Sequence, residues 1–427
     1  MNVESLKNLR ALVILYIANF VSGIAQGISM LAIPWHFARN EDMGTFGVVF
    51  LVTHCVSFIW MPYAGVLVDR YNRKTILLVM SVTGFLVMGA AAAMGVFLPV
   101  PLWITALAFM YTFFHFNIHY TNLYAFVQEI TDEKHYARIT SVMEVIHQLT
   151  TMLAGAVGAI LLEGTVDGTW NVFGAHVPTP WKIAPWDLHE IFALDAGTYL
   201  IALLFFATIR YIPLKGRHHE GGSVLARLNT GWQYLKAHRP ILIFGIASYC
   251  VFVTIIVIGF YSNPLYVFSH LGKSADVFAA SEMYYALGAI IAGAATLIVF
   301  RRWTMPNATI LLTMVAAVMY FVQAMTYTIA LFYLAVLAMG LANAGTRVLR
   351  TTYLMFEIPN QVYGRANGIF NMINVLMRVV FMAIFALPFF TTSDHVIYTL
   401  VILSVFLVGA SAVIWWIKPQ LRKMHDA

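Results

Sequence analysis

Runs of about 20 apolar residues recur along the whole chain, and each is long enough to cross a bilayer as a helix. Of the 427 residues, 61% are hydrophobic and only 10% are charged, whereas a soluble domain carries roughly 25% charged residues. The sequence therefore predicts an all-α polytopic membrane protein. We expect twelve transmembrane helices, at about 9–37, 44–68, 75–98, 102–127, 138–163, 189–211, 241–267, 275–300, 306–327, 329–355, 365–388 and 395–417.

The net charge of +6 does not indicate nucleic-acid binding, because the basic residues lie in short loops on one side of the predicted spans. This asymmetry predicts a multi-pass protein with both termini in the cytoplasm. Cys55 and Cys250 fall inside apolar runs, so no disulfide framework is expected. The first apolar run is too long for a signal peptide and is interpreted as a retained helix.

A polar stretch, 212–240, divides the spans into two groups of six. We therefore predict an N-terminal half, 1–211, a cytoplasmic linker and a C-terminal half, 241–427. An amphipathic run in the linker, 224–235, is expected to lie on the inner membrane surface. The longest outer loop, 164–188, contains three tryptophans, which favours anchoring at the membrane interface or a lid over a substrate.

The loop after the second span reads GVLVDRYNRKTIL, from Gly65 to Leu77. It resembles the G-x-L-x-D-R-x-x-R-K loop of the major facilitator superfamily. The loops at 129–142 and 357–369 also form a weak internal repeat, as expected for two parallel halves. The resemblance implies the major facilitator fold and a gate that closes the inner side near Gly364 and Arg365. The expected gate residues are Gly65, Asp69, Arg70, Arg73, Lys74, Arg138 and Arg365.

Two further stretches, IFALDAGTYLIALLFF (191–206) and LGKSADVFAASEMYYALGAIIAG (271–293), are similar to the branch of that family with the macrolide-efflux proteins and the enterobactin exporter. This resemblance implies export of a drug or siderophore across a bacterial inner (plasma) membrane, and AGAVGAIL (154–161) resembles the antiporter signature of the family's fifth helix. Gln26 stands where the branch commonly carries an acid, and the fourth span lacks the arginine of the proton-relay motif. The resemblance therefore does not supply the proton carrier.

The fourth span carries Tyr111, His115, His119 and Asn122 on one helical face. Three interpretations stay open. The face can line a cavity that binds substrate or takes up protons, because histidine titrates near neutral pH. It can instead hold neighbouring helices through hydrogen bonds, or His115 and His119 can supply two ligands to a transition metal.

Arginines occur within the tenth and eleventh predicted spans. A charged side chain inside the bilayer has a high free-energy cost, so each needs an acid or an anionic substrate as its partner. Arg347 and Arg378 lie deep, whereas Arg350 is expected to extend to the inner surface. The clear intramembrane acids are Glu282 and Asp195, which are the expected proton-coupling residues. Glu282 can alternatively form a structural pair with Arg378.

We therefore predict a secondary transporter that couples protons to export of an amphipathic, anionic organic molecule. The alternative is an importer or facilitator of a small polar or metal-bound solute. No nucleophile, P-loop or paired-acid motif indicates an enzyme. We expect a monomer in the lipid bilayer, with no cofactor, no bound metal and no nucleic-acid partner. The predicted substrate-binding residues are Asn19, Gln26, Tyr111, His115, His119, Asn122, Asn343, Arg347, Asn371, Asn374 and Arg378.

Overall fold

The structure is a computed structural model that describes residues 8–40, 42–98, 100–131, 136–165, 168–172, 175–211 and 224–425. Within these ranges the side chains of some helical residues are not described, including those of Gly65, Asp69 and Arg138. The long helices before the linker are α1 (Leu9–Arg39), α2 (Met43–Arg70), α3 (Arg73–Phe97), α4 (Leu102–Ile130), α5 (Tyr136–Glu163) and α6 (Leu188–Thr208). Residues 212–223 of the linker lie outside the described ranges.

The second set of helices begins with a shorter one, α7 (Val224–Ala237). It is followed by α8 (Arg239–Val257), α9 (Ala275–Val299), α10 (Met305–Met325), α11 (Ile329–Glu357), α12 (Asn360–Phe385), the short α13 (Pro388–Thr391) and α14 (Val396–His425). Helix α8 continues to His270 through two π-helical turns, Ile258–Ser262 and Tyr266–His270. Such turns widen a helix locally and frequently occur at functional sites.

Eleven of the described helices are long and apolar enough to cross a membrane. The remaining long helix, α4, is not among them, and it carries the two histidines and the asparagines of the polar face. The prediction of an all-α polytopic protein with about twelve long helices is confirmed.

The chain forms two compact units. The first unit comprises Met1–His36 and Ile59–Gly221, and the second comprises Phe37–Phe58 and Gly222–Ala427. Helix α2 is therefore divided between them. The division of the sequence into halves at 211 and 240 stays a prediction.

In the first unit, α3 packs along α6, and a buried apolar cluster with Leu77, Phe126 and Phe206 lies at one end. The loop between α5 and α6 contains an antiparallel hairpin of β1 (Thr169–Val172) and β2 (Ala175–Pro178), which the sequence interpretation did not foresee. Thr165 fixes the base of the hairpin, since its hydroxyl donates to the carbonyl of Trp181 and its amide to that of Ile183.

In the second unit, α9 and α11 cross at two glycines. A Cβ on Gly288 would lie 2.0 Å from the carbonyl oxygen of Leu337, and a Cβ on Gly340 would lie 2.1 Å from that of Tyr285. Only glycine permits this approach.

The amphipathic helix α7 packs on the second unit. A Cβ on Gly231 would lie 2.8 Å from the backbone of Arg365, and the hydroxyl of Tyr234 donates to the carbonyl of Glu357 at 3.1 Å. Leu235 is buried in the apolar cluster at this end of the unit. The face of α7 with Leu235 is therefore covered by α12 and its neighbours, and the position of the linker on the inner membrane surface stays a prediction.

Candidate functional site

The polar face of α4 meets α1 inside the first unit. His119 Nε2 lies 2.7 Å from Asn19 Oδ1, and His115 Nδ1 lies 3.2 Å from Gln26 Nε2. The two imidazole rings are stacked, with centroids 5.5 Å apart. An amide oxygen only accepts and an amide nitrogen only donates, so His119 carries its proton on Nε2 and His115 accepts on Nδ1. All four side chains are buried.

Helix α6 brings a carboxyl group and a phenol to the same unit. Asp195 is 0% exposed, and its Oδ2 accepts a hydrogen bond from the hydroxyl of Ser29 at 2.9 Å. Asp195 Oδ1 and the hydroxyl of Tyr199 have no hydrogen-bond partner among the described residues. The Tyr199 ring contacts His115 edge-on, with centroids 4.8 Å apart. The structure thus places Asp195 and Tyr199 on the helix that borders the histidines.

Two predicted residues of α4 contact α3 instead of α1. The hydroxyl of Tyr111 bonds to that of Thr83 at 2.9 Å, although its ring also lies beside His115. Asn122 donates to the carbonyl of Arg73 at 2.9 Å. Asn122 therefore holds the start of α3, and the structure does not bring it to the two histidines.

The basic loop before α3 is tied to its own unit. Asn72 caps α3 by accepting from the backbone amides of Lys74 and Thr75. Arg73 forms an ion pair with Glu129, and Lys74 donates to the carbonyls of Ala207 and Ile209 at the end of α6.

These contacts restrain the loop within the first unit, whereas the predicted gate contact is not among them. Arg70 is exposed. The predicted gate residues Gly65, Asp69 and Arg138 lie outside the described side chains. Arg365 packs through its backbone on Gly231, and Gly364 has open space beside it. The gate stays a prediction.

Arg378 of α12 is a buried charge of the second unit that the sequence indicated. It is 6% exposed, and Nη1 donates to His54 Nε2 at 3.1 Å. His54 lies in the first part of α2, and its Nδ1 donates to the carbonyl of Phe50 at 2.9 Å. One turn before Arg378, Asn374 is 1% exposed, and neither of its polar atoms has a partner among the described residues.

Arg350 does not extend to the surface as expected. It is buried, donates to the carbonyl of Ser248 at 3.1 Å and lies over the Tyr249 ring, 3.6 Å from its centroid. The hydroxyl of Tyr249 in turn bonds to Asn367 at 2.9 Å. An aromatic face attracts a guanidinium, which explains why Arg350 remains inside the unit.

The other predicted residues of the second unit are more dispersed. Asn343 donates to the hydroxyl of Tyr285 at 2.6 Å, while Arg347 and Asn371 are half-buried. Glu282 is also half-buried, and within the described ranges no ion pair joins it to Arg378. Arg378 bonds to His54 instead, so the alternative in which Glu282 and Arg378 form a structural pair was wrong.

Sequence reasoning missed His54, Ser29 and Tyr199 as members of these clusters. A histidine inside an apolar run is a signal that was available for His54. Within the described ranges no group of three or more His, Cys, Asp or Glu could hold a metal ion. His115 and His119 each use one ring nitrogen for an amide of α1, which is the interhelical bonding that was one of the three interpretations.

Solved structures of membrane transporters share this fold. A mutant form of the nucleoside transporter NupG has a TM-score of 0.72 at 14% identity, over 95% of this chain and 98% of that chain. A D-xylose-proton symporter has a TM-score of 0.69 at 14% identity, over 96% of this chain and 97% of that chain. Likeness at this identity shows the fold alone.

A sequence relative is the uncharacterized MFS-type transporter YfiS of Bacillus subtilis (strain 168), which is 21% identical over 206 residues. That match covers 46% of this chain and 42% of YfiS, so the chain matches less than half of that relative's length. The family model of the Major Facilitator Superfamily matches residues 15–382, which is most of the chain. With about twelve long apolar helices and this match, the chain belongs to the Major Facilitator Superfamily of membrane transporters.

Proposed function

We propose that this transporter exports an amphipathic, anionic organic molecule of the drug or siderophore kind, coupled to protons, by alternating access. The observation that carries the proposal is Asp195. It is fully buried in a predicted span, its one partner among the described residues is a hydroxyl, and its second oxygen has none. A carboxyl group that changes its access to water during a transport cycle can take up and release a proton.

The surroundings of Asp195 support a cavity in the first unit. Tyr199 is one turn further along α6 and contacts His115, and the stacked histidines continue to Asn19 and Gln26. Aromatic surfaces with a few placed polar groups suit an amphipathic organic ligand. We assign substrate contact to these residues and proton binding to Asp195.

Glu282 is the second proposed proton-coupling residue. It is half-buried on α9 and has no hydrogen bond or ion pair among the described residues. Asp195 is more completely removed from solvent and has a defined neighbour. We therefore place the essential proton on Asp195 and expect a smaller contribution from Glu282.

A flux assay in proteoliposomes tests this proposal. The assay uses an imposed pH gradient, an internal pH indicator and a panel of amphipathic organic acids. Vesicles with a known orientation of the protein determine the direction of transport. We expect a transported acid to collapse the gradient. Asp195→Asn should abolish this coupling, while Glu282→Gln retains part of it.

The matched control is Asp187→Asn, which changes an exposed acid at the start of the same helix. It should leave coupling unchanged. Transport that proceeds without proton movement in the wild type would overturn the coupling. Net uptake toward the cytoplasmic face would replace export by import.

A further inference from the structure

The second unit contains a charged group whose protein partner is a poor match for it. Arg378 is buried and offers five N–H donors, but its one hydrogen-bond partner among the described residues is the ring of His54. Its Nε is fully buried with no partner within the described ranges. No carboxylate of the described residues lies within ion-pair distance. Burying a charge is expensive unless an opposite charge or several hydrogen bonds compensate it.

The hydrogen bonds of His54 fix its charge state. Nδ1 faces the carbonyl oxygen of Phe50, so it must donate, and Nε2 faces a guanidinium, so it must accept. An imidazole with one donating and one accepting nitrogen is neutral. His54 thus supplies a lone pair to Arg378 but no negative charge.

Asn374 adds a second incomplete group at the same place. It lies four residues before Arg378 on α12, which puts both side chains on one face. Its amide is buried, and neither the nitrogen nor the oxygen has a partner among the described residues. The amide nitrogen and the guanidinium together offer donors to one planar acceptor, and a carboxylate matches a guanidinium in charge and in geometry.

His54 also lies at a contact between helices of the second unit. It lies in Phe37–Phe58, a segment that includes the first part of α2 and belongs to the second unit. At this contact a Cβ on Gly47 would lie 3.0 Å from Ala386 Cβ and 3.2 Å from the Tyr261 ring, and the rings of Phe50 and Phe260 are 5.7 Å apart. At this contact the ring of His54 joins α2 to Arg378 of α12, and the hydroxyl of Tyr261 also donates to the carbonyl of Phe385 in α12.

We infer that the carboxylate of the transported molecule displaces His54 from Arg378 and thereby releases the first part of α2 from α12. The inference rests on the proposed function, to which it adds the recognised group and its place. The carboxylate accepts from the guanidinium and from Asn374, and it supplies the charge that His54 lacks. His54 is the positioning residue that holds Arg378 before substrate arrives.

Binding of a matched pair of fluorescent probes to the purified full chain tests the inference. Dansylglycine carries a carboxylate, and dansylglycinamide has the same shape without the charge. Wild-type protein should bind dansylglycine more tightly. Arg378→Gln should weaken dansylglycine binding by at least about tenfold and leave the amide unchanged, because one partner of a buried charge pair is removed. His54→Ala should tighten dansylglycine binding, because the competing acceptor is gone.

The matched control is His270→Ala. His270 is another buried histidine of the second unit, and its ring bonds to the carbonyl of Thr326. This variant should leave both affinities unchanged. An affinity for dansylglycine that is no higher than for the amide, or an equal loss for both probes in Arg378→Gln, would overturn the inference.

Release of α2 is measured by cross-linking. Cysteines at Gly47 and Ala386, in a variant without Cys55 and Cys250, would reach disulfide geometry after the two backbones separate by a few tenths of an ångström, because a Cβ on Gly47 would lie 3.0 Å from Ala386 Cβ. Dansylglycine should slow their oxidation, and Arg378→Gln should remove this effect, whereas an unchanged oxidation rate would overturn the release step.

Transport of both probes is assayed separately. If neither probe is carried across the membrane, the proposed function fails for this class of molecule, while the two affinities still decide the displacement at Arg378.

Discussion

The buried polar groups of the two units have different kinds of hydrogen-bond partner. In the first unit the α4 histidines bond to side-chain amides of α1, donor to acceptor. In the second unit Arg350 and Arg378 bond to neutral acceptors, the carbonyl of Ser248 and the ring of His54. Each of these arginines retains a buried Nε with no partner among the described residues. The contact between α4 and α1 in the first unit is therefore a neutral network, whereas the second unit contains fixed charges that the described side chains do not neutralise.

The difference has opposite consequences for stability. A hydrogen bond between neutral partners contributes about 0.5–1.5 kcal/mol, and removing one partner leaves the other unsatisfied. A buried ion without a counter-charge is different, because no attraction repays its desolvation, so an apolar side chain of similar volume in its place should stabilise the unit. Equivalent substitutions in the two units should therefore change the free energy of unfolding with opposite signs.

The largest effect is expected for Arg378→Met. Removing the buried guanidinium should raise the free energy of unfolding by about 1–4 kcal/mol, because the desolvated charge is gone and methionine fills a similar volume. Transport of an anionic substrate should be lost in the same variant. Thermal unfolding of the purified protein, followed by tryptophan fluorescence, and flux in proteoliposomes would measure the two effects. A loss of stability would show that Arg378 is compensated within the protein and that the contrast between the units is wrong.

A smaller effect of opposite sign is expected for His119→Leu. The substitution should lower the free energy of unfolding by about 1–3 kcal/mol, because Asn19 loses its hydrogen bond while remaining buried. Asn19→Leu alone should have a similar effect. The double variant should cost less than the sum, since no unsatisfied partner remains.

Thermal unfolding measures this double-mutant cycle. It is applied to the wild type, to both single variants and to the double variant. Strict additivity would contradict a direct bond between His119 and Asn19. The control pair is His119→Leu with Gln26→Leu, because Gln26 bonds to His115 and not to His119.

The sequence predicted the spans and the faces of helices better than it predicted the partners of individual side chains. Hydropathy indicated every long helix, because twenty apolar residues have few other stable structures in lipid. The 3.6-residue period placed His115 and His119 on one face, and the seven-residue spacing placed Asn19 and Gln26 on another. That these two faces meet was not evident, since periodicity describes one helix and not its neighbour.

The partners of the arginines required long-range contacts. His54 and Arg378 are 324 residues apart in sequence, and no local pattern links them. Arg350 has the spacing of a residue near a helix end, from which a long side chain usually reaches water. The face of Tyr249 and the carbonyl of Ser248 provide a closer alternative, and both come from another helix. The hairpin of the outer loop was likewise missed because its strands have only four residues each.

The smallest effect is expected for Ser29→Ala in the first unit. The hydroxyl of Ser29 donates to Asp195, and its loss should lower the free energy of unfolding by about 1 kcal/mol. The matched control is Ser81→Ala, because that buried hydroxyl bonds to a carbonyl of its own helix, which the helix already satisfies. Thermal unfolding of both variants compares the two hydroxyls directly. Equal effects would mean that the hydrogen bond from Ser29 to Asp195 stabilises the protein no more than a hydroxyl bonded within its own helix, which would contradict the prediction.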